Sequence, residues 1–596
     1  MKTIRLLLFI IGLAWGSTSL AQVSLPPVFK GEEGRMRPDE ITRVYLVPQK
    51  VLWKTPGVKY EHELLQLTNG QTELGKHHMC EMLSAKQDTA SILLDFGREL
   101  HGGLRMVMGS STRPEPSTVR IRFGESVQEC FSTTNNTKPQ VGYATDDHAK
   151  RDIILEVPRD GQIEIGNTGY RFVRIDLLRR DVAIRIKEIA AIFRYRDIPY
   201  IGSFHSSDAR LNEIWMMGAY TVHLNMQEFL WDGVKRDRLV WVGDLHPEIA
   251  TINAVFGAQD VVTRSIDFAC KEFPLPRWLN NMPAYSLWYL IIHHDWWMHH
   301  ADRVFLERHR AYITGLIDQV DKTVNEKGEF DGAKFLDWPS SPDKEGVDIG
   351  VRALVVWSMR CAAQLCELLG DAPKAAQCRA IGKRVSAHLP KPQSLKQAAA
   401  LMAISGDMKP QYAFKHYLEQ DGARGFSTFY GYYMLEAEAM AGQYRQAMDV
   451  IRTYWGGMID MGATTFWEDF DLAWMENANR IDQLGDPAKK NIHGDYGEYC
   501  YPGFRCSLAH GWASGPTAWM SRHILGIQIE EAGCRHLRID PHLGDLDWVE
   551  GTYPTPFGPV QVRHEKKPDG SLRSTITKPA EVKITSTGKD VTIHNW

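Results

Sequence analysis

The feature that most constrains the fold is a change of sequence pattern near residue 207. From about 22 to 200, short alternating or apolar runs bounded by Gly, Pro, Asp and Asn predict β-strands at the spacing of a sandwich. At Ser206-Ser207-Asp208 an N-cap signal precedes apolar residues at helical spacing, and helical patterns then dominate to about residue 525. The predicted helices cover 208–228, 246–268, 284–300, 302–326, 347–369, 371–388, 394–405, 410–420, 428–441, 443–456, 507–524 and a short stretch near 472–480.

About a dozen helices in one segment predict six helical hairpins, which we expect to close into an (α/α)6 barrel rather than an open solenoid. The polar insert at 125–150 is interpreted as a surface loop. After residue 526 the strand pattern returns, with Pro and Gly at the turns. Because 596 residues exceed what one core supports, the prediction is a multidomain chain. Its parts are a signal peptide (1–21), an N-terminal β-sandwich domain (22–200), the barrel (201–525) and a C-terminal β-sandwich domain (526–596).

The first residues predict export. Lys2 and Arg5 precede the apolar run 6–15, and small residues at 19–21 offer a cleavage site, as in a secretory signal peptide. The mature chain would begin near Gln22, in the bacterial periplasm or outside the cell. The run is too short to span a membrane, no later segment approaches about 20 uninterrupted apolar residues, and no Cys follows the cleavage site, so we expect no membrane anchor.

Composition excludes several classes of function. The net charge of -4 provides no electrostatic footprint for nucleic acid or for an anionic membrane. The sequence contains no HExxH, CxxC or P-loop motif, so we expect neither a metal site nor a cofactor. Cys500 and Cys506 flank a Gly/Pro turn and are the best disulfide candidates. The oligomeric state stays open between monomer and homodimer.

A dense patch of charge at 231–248 is the first candidate for a site. Asp232, Asp237 and Asp244 are spaced by five and seven residues, which is neither a strand period nor a helical repeat, so they could converge only from an irregular segment. Basic neighbours would keep some carboxylates ionised, while burial beside Trp would raise the pKa of another, and that contrast separates a proton donor from a base. The alternative is a solvated charged loop.

The loops between the predicted helices are unusually aromatic and acidic. Trp and Tyr beside Gly, Pro and Asp suit the flat apolar faces of sugar rings better than core packing. Loop composition alone places Asp295, Asp337 and Trp338 among the pocket candidates. The loops concerned are 273–286, 293–300, 335–341, 456–474 and 493–516.

Two motifs carry a family resemblance. KRDRLVWVGD at 235–244 resembles RDERLGWTGD, and GATTFWE at 462–468 resembles GATTxWE, both typical of glycoside hydrolase family 78, the α-L-rhamnosidases. The resemblance covers nearly the whole mature chain and implies an (α/α)6 barrel between β-domains. It places the general acid on Asp237, the general base on Glu468, and a late-barrel His on His510. It also places sugar-recognising carboxylates on Asp232 and Asp244.

Four further residues are assigned to substrate binding. Trp241 and Trp467 are candidates for stacking on the sugar ring or its methyl group. Arg236 and Arg238 are expected to keep the neighbouring carboxylates ionised. The predicted partner is an oligosaccharide or polysaccharide.

Asp237 is the departure from the family pattern, because Glu stands there in typical members. The shorter side chain loses roughly 1.5 Å of reach. The loop could advance, the acid could act through water, the pocket could serve another substrate, or the protein could bind sugar without cleaving it. Because every other expected carboxylate is retained, we favour an active enzyme.

The predicted function is a secreted inverting glycoside hydrolase that removes terminal α-L-rhamnose from plant or microbial glycans. Inversion requires the two carboxyl groups to stand roughly 6.5 to 9.5 Å apart. Two alternatives remain. One is a hydrolase or lyase of another α-linked sugar in an acidic glycan, for which the basic residues 235, 236 and 238 are the motive. The other is a catalytically impaired sugar-binding relative.

Overall fold

The computed structural model describes residues 26–596 apart from 38, 74, 76, 77, 133–150 and 500. The predicted signal peptide and Cys500 lie outside the described residues, so the signal peptide and the disulfide stay predictions. Cys506 is buried, and its sulfur lies 3.7 Å from the carbonyl oxygen of Ser507.

The N-terminal domain is rich in sheet, as predicted. Its described strands form a nine-stranded sheet around a core separate from that of the helical domain. The long strand β5 (Ala90–Ser111) pairs with β8 (Gly161–Leu177) and β9 (Val182–Tyr195), and register shifts along both ladders indicate bulges that bend β5. The strands are β1 (Thr42–Leu46), β2 (Lys50–Lys54), β3 (Val58–Lys59), β4 (Cys80–Ser84), β5 (Ala90–Ser111), β6 (Ser117–Gly124), β7 (Asp152–Val157), β8 (Gly161–Leu177) and β9 (Val182–Tyr195).

A short helix, α1 (Val127–Phe131), follows β6, and the remaining helices form the central domain. Asp208 caps the first of these by accepting hydrogen bonds from two backbone amides, as the sequence predicted. They are α2 (Ala209–Asn225), α3 (Leu245–Val255), α4 (Asp260–Glu272), α5 (Pro283–His300), α6 (Arg303–Arg308), α7 (Arg310–Thr323), α8 (Lys344–Leu368), α9 (Ala372–Ser386), α10 (Lys396–Ser405), α11 (Pro410–Ala413), α12 (Gly431–Met440), α13 (Tyr444–Asp460) and α14 (Gly515–His523).

The helices close into a ring. Neighbouring contacts run from α3 to α5, α8, α10, α12, α14 and back to α3, while the helices between them in sequence pack outside. Burial explains the two layers, because α12 is buried at every position from 431 to 439, whereas outer helix α4 buries only one stripe. The predicted (α/α)6 barrel is therefore confirmed.

Among the described residues, α8 is the one helix long and apolar enough to cross a membrane by length and composition. In its most apolar window, 83% of the residues are buried inside the protein, as expected for an inner helix of the ring.

The C-terminal domain contains a five-stranded and a three-stranded sheet. Strand β10 (Ser203–Ser206) precedes the barrel in sequence but pairs with β15, so four residues assigned to the barrel join the C-terminal sheet. Two short strands, β11 (Ala478–Asn479) and β12 (Lys490–Asn491), pair with each other within the loops of the helical domain. The strands of the C-terminal domain are β13 (Ile527–Glu531), β14 (His536–Ile539), β15 (Trp548–Tyr553), β16 (Val560–Lys566), β17 (Leu572–Lys578), β18 (Lys583–Ser586) and β19 (Asp590–Asn595).

Four local predictions were wrong. The predicted helix 302–326 is two helices, α6 and α7, with His309 between them. The predicted helix 246–268 is two helices, α3 and α4, because the chain turns at Gly257 with a φ of +71°. The predicted helix 507–524 begins only at Gly515. The insert at 125–150 is not wholly surface, since Glu125 and Val127 are fully buried against the helical domain; residues 133–150 lie outside the described residues.

Candidate active site

A cavity of about 480 Å³ lies at the end of the barrel where the inner helices begin. Asp244 precedes the first residue of α3, and Tyr285 lies in the first turn of α5. Eight predicted site residues line the cavity: Asp232, Arg236, Asp237, Trp241, Asp244, Trp338, Glu468 and His510. The ring closure thus brings together residues separated by almost 280 positions in sequence.

The loop carrying the first five of these residues is irregular, as the spacing predicted. Asp237 and Arg238 have positive φ values of 55° and 51°, which turn the chain sharply between Arg236 and Leu239. The turn leaves the side chain of Asp237 12% exposed, whereas that of Arg236 is 4% exposed. Asp237 is therefore the more accessible of the two from the cavity.

Arg236 joins the two predicted catalytic carboxyl groups. Its Nη1 lies 3.1 Å from Oδ1 of Asp237, and its Nη2 donates to Oε1 of Glu468 at 2.7 Å. Since each C–N bond of the guanidinium is about 1.33 Å long, these two oxygens lie no more than about 8.5 Å apart. That upper limit includes most of the range of roughly 6.5 to 9.5 Å found in inverting glycosidases and also the roughly 5 to 5.5 Å of retaining ones.

Glu468 is held from several sides. Its Oε2 accepts a hydrogen bond from the backbone amide of Ser507 at 2.9 Å, and its own amide donates to the Ser507 carbonyl at 2.9 Å. Burial raises the pKa of Glu468, while the charge of Arg236 and the Ser507 amide oppose that rise. The two partners favour the ionised form, which a general base requires.

His510 stands among three carboxyl groups. Its Nε2 lies 3.7 Å from Asp232, 3.8 Å from Asp244 and 3.7 Å from Glu468. Burial and the nearby charge of Arg236 lower the pKa of His510 well below its ordinary value, so the neutral ring is favoured. A neutral imidazole at this position can accept from or donate to a hydroxyl without adding charge.

Asp232 and Asp244 hold protons more strongly than ordinary carboxyl groups. Burial raises the pKa of Asp232 well above its usual range, and the neighbouring charges of Asp237 and Asp244 raise it further. Burial likewise raises the pKa of Asp244, against the hydrogen bond that its Oδ1 accepts from Tyr285 at 2.7 Å. The pocket therefore offers carboxyl groups of different proton affinity within one small volume.

The N-terminal domain supports both site loops. Oε2 of Glu125 accepts a hydrogen bond from the amide of Leu508 at 2.7 Å, and the carbonyl of Val234 accepts one from Gly169 at 2.9 Å. A Cβ at position 169 would lie 2.7 Å from Cγ2 of Val234. The sheet domain thus contacts the backbone of both loops directly, at Val234 and at Leu508.

A buried ionic cluster extends this contact. Lys235 Nζ lies 3.3 Å from Glu125, 3.0 Å from Glu129 and 3.4 Å from His493. The three partners place possible metal-ligand atoms within 4.8 Å of one another, a spacing that could hold a cation. The Lys235 ammonium lies among these atoms and supplies the compensating positive charge.

Three of the predicted site residues lie outside the cavity lining. Arg238 donates to the carbonyl of Asn167 at 2.8 Å, in the N-terminal domain. Asp337 is buried and accepts a hydrogen bond from Ser427 at 2.6 Å. Trp467 is 2% exposed and packs in the barrel core. The loop candidate Asp295 lies in another cavity, bound to His246.

Five lining residues were not singled out from the sequence, although loop composition had marked the segments that carry all of them. A side chain's direction depends on how a loop folds, so composition could mark a segment such as 273–286 but could not select Tyr285. The five are Met282, Tyr285, Phe335, Tyr501 and Trp512.

Comparisons with known proteins agree with this architecture. Residues 199–397 match the bacterial alpha-L-rhamnosidase six-hairpin glycosidase domain, and residues 526–587 match the bacterial alpha-L-rhamnosidase C-terminal domain. No curated protein matches the chain.

Solved structures share the fold at low sequence identity. The family 78 rhamnosidase of Bacillus sp. GL1 is 18% identical with a TM-score of 0.70, over 88% of this chain and 56% of that one. The Klebsiella oxytoca rhamnosidase, solved with rhamnose bound, is 18% identical with a TM-score of 0.62, over 81% and 96%. The Streptomyces avermitilis alpha-L-rhamnosidase, solved with L-rhamnose, is 16% identical with a TM-score of 0.64, over 92% and 50%. The match thus spans about half the length of the Bacillus and Streptomyces proteins.

Proposed function

We propose that this chain releases terminal α-L-rhamnose from a glycan by hydrolysis. Two of its segments match the six-hairpin glycosidase domain and the C-terminal domain of the bacterial α-L-rhamnosidases. The observation that carries the proposal is the pair of carboxyl groups, Asp237 and Glu468, on one guanidinium at the open end of the barrel. Hydrolysis of a glycosidic bond needs two such groups at a fixed separation.

The proposed mechanism is a single inverting displacement. Asp237 donates a proton to the glycosidic oxygen as the bond to the anomeric carbon breaks. Ionised Glu468 takes a proton from a water molecule that attacks the opposite face of the same carbon. The position of Asp237 on a sharply turned loop, more exposed than Arg236, supports its access to the leaving oxygen despite its shorter side chain.

The remaining polar groups would recognise the sugar. Asp232, Asp244 and His510 converge on one volume and offer both donors and acceptors for ring hydroxyls. Trp241 and Trp338 line the same cavity and provide apolar surface for the ring and its methyl group. We propose export to the periplasm or medium as the setting, in keeping with the signal peptide predicted at 1–21.

The experiment uses 4-nitrophenyl α-L-rhamnoside and a panel of rhamnose-bearing oligosaccharides, with the first product followed by NMR. We expect β-L-rhamnose to form before mutarotation, as inversion of an α-linkage requires. First appearance of the α-anomer would contradict inversion. Saturable sugar binding with no product after long incubation would identify a binding relative instead.

A further inference from the structure

A second and larger opening adjoins the active-site cavity. It encloses about 1590 Å³ of open space, and its lining contains none of the residues that line the first cavity. The two are nevertheless neighbours, because Glu468 faces the cavity while Asp469 faces the groove, and Trp338 stacks on Tyr499 with ring centres 5.6 Å apart. A substrate whose terminal sugar occupies the cavity would extend past this aromatic pair into the groove.

Aromatic side chains form part of the groove wall. Trp474 and Tyr496 stack with ring centres 5.3 Å apart and an angle of 13°, and Phe426 and Phe470 lie beside them. Aromatic walls in a polar groove are typical of carbohydrate sites, because one face of a sugar ring is apolar and its edge is polar.

The charge of the groove is negative. Six carboxyl residues line it: Asp343, Asp421, Asp469, Asp471, Asp495 and Glu498. Burial raises the pKa of Asp469 to about 7, so the negative charge of the groove rests on the other five. Three of them, at 343, 471 and 495, accept hydrogen bonds from backbone amides, which hold these side chains in place along the groove.

The two basic lining residues, Lys396 and Arg424, are outnumbered by the carboxyl residues and so balance only part of this charge. Lys396 Nζ donates to three backbone carbonyls, of Gln420, Gly422 and Arg424, at 2.6 to 2.9 Å. The guanidinium of Arg424 pairs with Glu476 at 3.3 Å. The basic residues of the catalytic loop are also engaged elsewhere, since Lys235 is buried among Glu125 and Glu129 and Arg236 is bound to Glu468.

We propose that this groove binds the leaving-group part of the substrate and selects a neutral or amine-bearing sugar there over a uronic acid. The inference rests on the proposed function for the position of the scissile bond, and it goes beyond that function by naming the chemical class of the neighbouring sugar. This preference is the opposite of the alternative considered from sequence, in which the basic residues 235, 236 and 238 suggested an acidic glycan as the substrate. A uronate carboxylate in the groove would meet like charges, whereas an ammonium group would meet opposite ones.

The test compares three disaccharides that differ in one group: α-L-rhamnosyl-(1→4)-glucose, its glucosamine analogue and its glucuronic acid analogue, at pH 6.5. We expect kcat/KM for the glucuronate to fall about tenfold below that of the glucose compound at low salt, with glucosamine equal to or above glucose. The gap should narrow at 0.5 M NaCl, because salt screens charges in an open groove. Equal or faster cleavage of the glucuronate would overturn the inference.

Substitutions in the groove test whether its carboxylates cause the selectivity against the glucuronate substrate. Glu498→Gln, alone or with Asp421→Asn, should reduce the ratio between the glucose and glucuronate substrates by about twofold or more, since both side chains are exposed in the groove. Glu326→Gln changes the same chemistry at an exposed position outside the groove and should leave the ratio as in the wild type. An unchanged ratio in the groove variants would show that these carboxylates do not set the selectivity.

The two proposals fail separately. If 4-nitrophenyl α-L-rhamnoside is cleaved but the glucuronate is not disfavoured, the groove inference is wrong and the proposed function stands. If no rhamnoside is cleaved, the proposed function is wrong, and equilibrium binding of the three disaccharides to the wild type decides the groove inference. The glucuronate binding as tightly as the glucose compound would then overturn it.

Discussion

Nη2 of Arg236 lies 2.7 Å from Oε1 of Glu468, so the candidate base is held by the residue that directly precedes the candidate acid. The two proposed catalytic carboxyl groups are therefore linked through one side chain. A displacement of the loop at 231–248 would move Asp237 and disturb the contact of Arg236 with Glu468.

The first prediction separates acid from base. Asp237→Asn should lower kcat/KM at least about 10²-fold on a rhamnosyl disaccharide, and much less on 2,4-dinitrophenyl α-L-rhamnoside, whose leaving group needs no proton. Glu468→Gln should lose about the same factor on both substrates, because water activation is needed in each case. Asp88→Asn, at an exposed position, is the matched control. Equal losses for both substrates in Asp237→Asn would remove that residue from the acid role.

The second prediction concerns Arg236. In Arg236→Gln the opposing charge is lost and the pKa of Glu468 rises further, so the acidic limb of the pH profile of kcat/KM should move to higher pH. We also expect kcat to fall about 10- to 100-fold at neutral pH. Arg236→Lys keeps the charge and should retain the position of the acidic limb more closely. A profile unmoved in Arg236→Gln would indicate that Glu468 is not the group titrating on that limb.

The third prediction tests the support from the sheet domain. Lys235→Met removes the ammonium from the buried pair Glu125 and Glu129, leaves Arg151 as the cation beside Glu129, and should destabilise the protein by roughly 3 kcal/mol. Thermal unfolding measures this cost, and activity at a temperature well below the transition shows whether the catalytic loop is displaced as well. The exposed Lys489→Met is the control. A transition temperature equal to that of the control would mean that the cluster contributes no stability.

The fourth prediction is independent of function and concerns Glu438. Both carboxyl oxygens are fully buried and lack a hydrogen-bond partner among the described residues, and burial raises the pKa of Glu438 to about 8, against the charge of Lys396. With an unfolded value near 4.5, the folded state binds the extra proton between these two pH values, so stability falls as pH rises from about 4.5 to 8.

Glu438→Gln removes that dependence. Relative to the wild type, the variant should gain a few kcal/mol in the free energy of unfolding between pH 5 and pH 8.5. Denaturant unfolding at the two pH values measures the difference. Glu419→Gln, an exposed change, should show no such gain. A constant difference between wild type and Glu438→Gln across this range would show that Glu438 does not titrate there.

Local sequence patterns predicted the barrel well, because apolar residues recur at helical spacing and four of its helices begin with a capping Asp. Asp208 caps α2 as expected, and the inner helices stand out by their near-continuous burial. Breaks that depend on a single backbone angle were missed, as at Gly257. The pairing of β10 with β15 was also missed, since it joins residues almost 350 positions apart and a four-residue stretch with one apolar residue, Phe204, carries little strand signal.

The site was predictable where a motif fixed it. Asp232, Asp237, Asp244, Glu468 and His510 all line one cavity. Residues that support the site from another domain belong to no such motif in the sequence.

Glu125 shows this limit most clearly. It begins a polar insert that resembles surface, and only the packing of the sheet domain against the helical domain shows that it accepts the amide of Leu508. The positions of the loops decide which carboxyl groups face the cavity. Those positions depend on contacts between residues that are far apart in sequence, such as Glu125 and Leu508.

The salt links between Lys235 and the pair Glu125 and Glu129 join two domains that modular evolution could otherwise exchange. A barrel transferred onto a foreign sheet domain would carry a buried ammonium without its counter-charges, and a foreign barrel on this sheet domain would leave Arg151 as the remaining cation beside Glu125 and Glu129. A chimera should therefore unfold at a lower temperature than the parent unless Glu125 and Glu129 are transplanted together with Lys235.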